Sequence, residues 1–186
     1  MKDIKERKAL LIYLVKKMKA KGSWCGETHI QKIVFFLQEL YNTPIGYDFI
    51  LYKHGPFSFD LRDELTSMRA DGLLCLEPRH PYGSSYKLGD FADIWHKTFS
   101  EKVENLCKKA DYIVDLLANK TVKELERLAT ALYIKKENTH DSNKEDMVDE
   151  LTHLKPHITK SEAIEAFGIL EKLFREPPVP GYFLDR

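Results

Sequence analysis

Between residues 30 and 41 the apolar side chains Ile30, Ile33, Val34, Leu37, Leu40 and Tyr41 return every three or four positions. That spacing gathers them on one face of an α-helix and would scatter them over both faces of a strand, so it predicts a helix with a buried stripe. Thr28 and Gln31 have the spacing of a capping box at its start, and Asn42-Thr43-Pro44 closes it. The opening segment repeats the pattern: Ile4, Leu11, Leu14, Val15 and Met18 share a face, and Gly22 ends the run. So much helical periodicity predicts a mainly α protein.

The period then changes. Asp48 to Lys53 reads as a short strand stopped by Gly55-Pro56, and Ser58 caps a third helix with Leu61, Leu65 and Met68 on its inner face. Leu73–Glu77 and Ser85–Leu88 read as two strands joined by a turn over 78–84. Two helices, a strand, a helix and a β-hairpin give residues 1–90 a winged-helix-like order with a small hairpin. The second half reads as a helical bundle over 91–176. It opens on a long helix that starts as early as Phe91 and carries Phe99, Val103, Leu106, Ala110, Ile113, Val114 and Leu117. Capping boxes at Thr121/Glu124, Ser142/Glu145 and Thr159/Glu162 open three more helices, and Pro156 stops the middle one. Residues 177–186, rich in proline, read as an extended tail.

Charge narrows the partners. Twenty-nine basic residues balance 29 acidic ones, so any nucleic acid or membrane surface would have to be held by a local patch. No apolar run reaches the roughly 18 residues that span a bilayer, and no membrane partner is expected. Lysines interrupt the N-terminal apolar stretch, and Cys25, Cys75 and Cys107 are odd in number and far apart, so a reducing cytoplasm fits best. The first 22 residues hold eight basic residues against Asp3 and Glu6, with Lys16, Lys17, Lys19 and Lys21 at the end of the helix. Together with Arg79 in the later hairpin, these make a candidate DNA contact. The third helix, in the recognition position, is instead net acidic: Asp60, Asp63, Glu64 and Asp71 stand against Arg62 and Arg69.

Catalytic signatures are not found: there is no GxSxG elbow, no CxxC and no glycine-rich phosphate loop. His153 and His157 are four apart, but Pro156 between them breaks the helical alignment a metal would need. No metal, cofactor or enzymatic activity is therefore expected. His29 and His54 read as lone structural residues, and Cys107 as a core residue.

Three stretches carry a family resemblance. They are Lys32-Ile33-Val34-Phe35-Phe36, then Tyr52-Lys53-His54-Gly55-Pro56-Phe57-Ser58, then Leu61, Leu65 and Gly72-Leu73-Leu74. In this order they resemble the Panacea domain of the SocA-type antitoxins and the YwgA-like bacterial proteins. Glu124 to Thr130 with Leu154-Lys155-Pro156 is similar to the helical second half of the YwgA-like group, so the likeness touches residues 28–175. Where the Panacea pattern has a tryptophan before Gly-Pro, this chain has Leu51-Tyr52. The resemblance implies an antitoxin-like or adaptor role through contact with a protein such as a toxin. The candidate contact residues are Tyr52, His54, Gly55, Pro56, Phe57, Arg79 and Tyr82. By themselves the residues leave two readings open. Gly55-Pro56 either turns the chain with Tyr52 and Phe57 in the core, or presents an exposed aromatic patch. The long helix offers a further expectation, pairing of two copies along its outer face.

Overall fold

The computed structural model describes residues 3–81, 83–138 and 143–175. In chain order the elements are α1 (Ile4–Ala20), α2 (Glu27–Leu40), β1 (Ile50–Tyr52), β2 (Gly55–Phe57), α3 (Phe59–Ala70), β3 (Leu74–Pro78) and β4 (Ser84–Leu88). They continue with α4 (Ala92–Leu117), α5 (Val122–Glu137), α6 (Lys144–Leu154) and α7 (Lys160–Arg175). The described protein is mainly helical, with β1–β2 and β3–β4 as two separate antiparallel hairpins. Tyr82, Ser142 and residues 177–186 lie outside the described residues. Among the described residues no helix is long and apolar enough to cross a membrane.

Both halves feed one core. Helix α1 lies along α4, α2 sits between α4 and α5, and α7 packs on α5 and α6. A single cluster of buried apolar residues runs from Leu10 in α1 through Phe36 in α2 and Ile113 in α4 to Leu170 in α7. The stripe Val103, Ala110, Ile113, Val114 and Leu117 of α4 is consumed within the chain.

Helix ends follow local chemistry with three corrections. The box at Thr121/Glu124 forms with both reciprocal bonds, and Thr159/Glu162 makes the same contacts. Helix α6 is capped one residue later than the spacing indicates: Asn143, not Ser142, accepts from the Asp146 N–H at 2.9 Å. Ile4 is about half exposed at the open end of α1 and takes no part in the core stripe.

The third correction bears on the site. No capping box forms at Thr28 and Gln31, because α2 starts at Glu27 with Gly26 as its N-cap. Gln31 is buried and reaches across to Ser58, donating to its carbonyl and accepting from its N–H, both at 2.9 Å. The Ser58 hydroxyl in turn caps α3 by accepting from the Leu61 N–H. A buried amide needs partners, and a backbone N–H with its own C=O satisfies both of its ends. Gln31→Leu strands both groups and is expected to cost about 2–3 kcal/mol, read as a lower urea midpoint.

Candidate functional site

The Gly-Pro motif lies in a strand rather than a turn. Tyr52 pairs with Gly55 and Ile50 with Phe57, so Lys53-His54 makes the two-residue turn and Gly55-Pro56-Phe57 returns as β2. Gly55 and Pro56 are buried. Gly55 has φ +79°, and a Cβ there would come within 2.8 Å of Thr130 Oγ1 and 3.3 Å of the Glu126 carbonyl on α5. The glycine is required because the hairpin backbone lies directly on that helix.

Beneath the hairpin lies a charge cluster. Lys32 of α2, only 1% exposed, donates from Nζ to the Pro56 carbonyl at 2.7 Å. Lys155, just past α6, donates to the Tyr52 and Lys53 carbonyls at 2.9 and 2.6 Å. Its Nζ also stands 3.2 Å from Glu126 Oε1, the two side chains being 8% and 5% exposed. His54 Nδ1 and His157 Nε2 approach the same carboxylate at 3.5 and 3.6 Å. Two buried ammonium groups thus hold three hairpin carbonyls around one buried carboxylate. Neither histidine is the lone structural residue the spacing implied for His54: both belong to this cluster.

Burial pushes the Lys32 ammonium down to about 8, against the raising influence of Glu126. An unfolded lysine keeps its proton to about 10.5, so between those values the unfolded chain binds more protons and stability rises with pH. Burial of the Cys25 and Cys107 thiols, pushed up to about 12 and 11, acts oppositely from about pH 9. The lysine is therefore isolated by comparison: wild type should gain about 1 kcal/mol over Lys32→Met between pH 8 and pH 9. Guanidinium midpoints at the two pH values measure it.

Above the cluster, aromatic rings face solvent. Tyr52 and Phe59 are 45% and 40% exposed, and Ile50 beside them is equally open. The Tyr52, Phe57 and Phe59 rings pack with centroids 5.2–5.7 Å apart, and the Arg62 guanidinium lies 4.9 Å over Phe59. Gly55 and Pro56 are buried while the Tyr52 ring is exposed. Tyr52 is not core, and Phe57 is half-buried.

Arg79 is not part of this patch. It pairs with Glu77 at 2.9 Å and lies over Trp24 in the β3–β4 hairpin. The lysine stripe of α1 is paired throughout: Lys16 with Asp93, Lys17 with Asp111, Lys19 with Glu77 and Lys21 with Asp115. The acids of α3 have structural work too, Glu64 meeting Arg7 at 2.9 Å and Asp71 meeting Lys8 at 2.6 Å. His153 is exposed. Among the described residues no group of three or more His, Cys, Asp or Glu could hold a metal.

Lys32, Glu126 and Lys155 were invisible as a unit, being 94 and 29 positions apart along the chain. The available signal was Lys32 itself, a lysine inside the most apolar helix of the protein. A cleft of about 650 Å³ opens beside the hairpin, with Lys53, His54, Lys123, Arg127 and His157 around Glu126. Compared with known proteins, the chain matches no family model, no curated protein and no solved structure.

Proposed function

We propose that the chain is a non-catalytic protein-interaction module, antitoxin-like in the Panacea sense or an adaptor, whose contact surface is the β1–β2 hairpin with the start of α3. The observation that carries this reading is the solvent-facing pair Tyr52 and Phe59 packed on the half-buried Phe57 ring. Packed aromatic rings held at the surface of a rigid element are the side chains that anchor protein interfaces. The hairpin is rigid because its carbonyls are tied to α2 and to Lys155. Buried Gly55 and Pro56 then serve the surface by positioning it rather than by touching a partner. The helices α1–α3 followed by the β3–β4 hairpin support a winged-helix-like first half.

The alternative, a DNA-binding regulator using Lys16, Lys17, Lys19, Lys21 and Arg79, draws less support. Each of those side chains already faces a carboxylate, so the stripe carries little uncompensated charge.

Nuclease-treated pull-down from the native extract, read by mass spectrometry, tests the reading. Tyr52→Asp and Phe59→Asp alter exposed positions, so circular dichroism and the urea midpoint should stay near wild type. A stoichiometric protein should be captured by wild type and lost with either variant. Capture that depends on nucleic acid, or that survives both variants, overturns the reading.

A further inference from the structure

The chain has no net charge, yet one place in it is locally positive. Around the cleft, Lys53 and Lys123 stand at the surface, with Arg127, Lys155 and Lys32 more deeply set behind them. Two carboxylates oppose these five cations, and both are engaged. Glu126 is held by Lys155, and Glu162 by Arg127 at 2.8 Å and by the Thr159 cap. Lys53 and Lys123 have no ion-pair partner among the described residues. The imidazoles of His54 and His157 are over half exposed and sit on the same rim. Because the lysines behind are buried, their field is poorly screened by water and emerges through the opening.

The cleft also has apolar walls, Val122 and Ile158, and its Lys53-His54 edge is continuous in the chain with Tyr52 of the aromatic patch. The positive region is bounded. Glu165 lies beyond Arg127 at 3.9 Å, and Asp60 and Asp63 follow Phe59 of the patch in the first turns of α3. A polyanion, with phosphates every few ångströms, would run onto these acids. A compact anionic group would not.

We propose that this cleft receives an acidic segment of a partner protein, one carboxylate seated among Lys53, His54, Lys123 and His157 while an adjacent apolar residue lies over Tyr52 and Phe59. This rests on the protein-interaction reading above and adds the chemistry of what is recognised: an apolar or aromatic residue next to Asp or Glu. The apolar contact supplies most of the affinity, and the carboxylate supplies register and salt sensitivity.

The test uses the full chain and three fluorescein-labelled probes: a short peptide with one tryptophan followed by glutamates, its glutamine counterpart, and a single-stranded oligonucleotide of matching charge. The acidic peptide should bind saturably by anisotropy, weaken as salt rises, and outbind the other two. Lys53→Glu and Lys123→Glu, both at exposed unpaired positions, should each weaken it at least tenfold (roughly the loss for reversing a contacting charge) with the fold unchanged. Equal binding of the glutamine peptide, or tighter binding of the oligonucleotide, overturns the proposal. The two levels separate on the captured partner. If that partner is lost with Phe59→Asp but unaffected by Lys123→Glu, the cleft proposal fails and the aromatic reading stands.

Discussion

Glu126→Leu is expected to destabilise the protein by about 3–5 kcal/mol, lowering its melting temperature by on the order of 10 °C. The side chain is 5% exposed, and its carboxylate is, among the described residues, the negative charge that faces Lys155 at 3.2 Å and acts on buried Lys32. Leucine fills a similar volume, so packing changes little. What changes is that two buried ammonium groups lose their counter-charge while remaining bound to hairpin carbonyls. Leaving a buried charge unpaired is far costlier than never having buried the pair. The double variant Glu126→Leu/Lys155→Met should therefore recover part of the loss, and only part, because the Tyr52 and Lys53 carbonyls then lose their donor. Urea unfolding of the single and double variants decides it. A single variant with a wild-type midpoint would show that the cluster does not hold the hairpin.

The second large effect is at Gly55. Gly55→Val is expected to cost about 2–4 kcal/mol, since φ of +79° is strained for a β-branched residue and the new Cβ meets Thr130 and the α5 backbone. The two contributions can be separated. Gly55→Ala in a Thr130→Ala background removes the clash at 2.8 Å but keeps the 3.3 Å approach to the Glu126 carbonyl and the strain. That pair should regain stability relative to Gly55→Ala alone without reaching the level of Thr130→Ala alone, as measured by thermal unfolding. Because the hairpin carries the aromatic patch, Gly55→Val should also weaken partner capture although residue 55 is itself buried.

Local regularities were legible because they depend on neighbours a few residues apart. The stripe from Ile30 to Tyr41 became α2, the Ser58 cap formed, and α4 begins immediately after Phe91. The Thr121/Glu124 box needed nothing beyond four consecutive residues, so its spacing alone sufficed. Thr28 and Gln31 had the same spacing and failed, since Gln31 points into the interior, where Ser58 offers two backbone partners at once. Local motifs form where no distant contact competes for the same side chain.

The site itself depended on distant contacts. Tyr52 to Phe57 stood out in the chain, but whether Gly-Pro turned or paired was settled by the close approach of α5, 71 residues further on at Glu126. The basic face of α1 read as available because its neutralising acids, Asp93, Asp111 and Asp115, belong to α4, which folds back along it. Conversely, the locally positive cleft draws on α2, the β1–β2 turn, α5 and the segment after α6, and none of these is notably basic alone. Periodicity and capping are properties of single segments and can be read from them directly. Net local charge, burial of a lysine and the need for a glycine are sums over segments that meet only in the folded chain, so tertiary packing decided them.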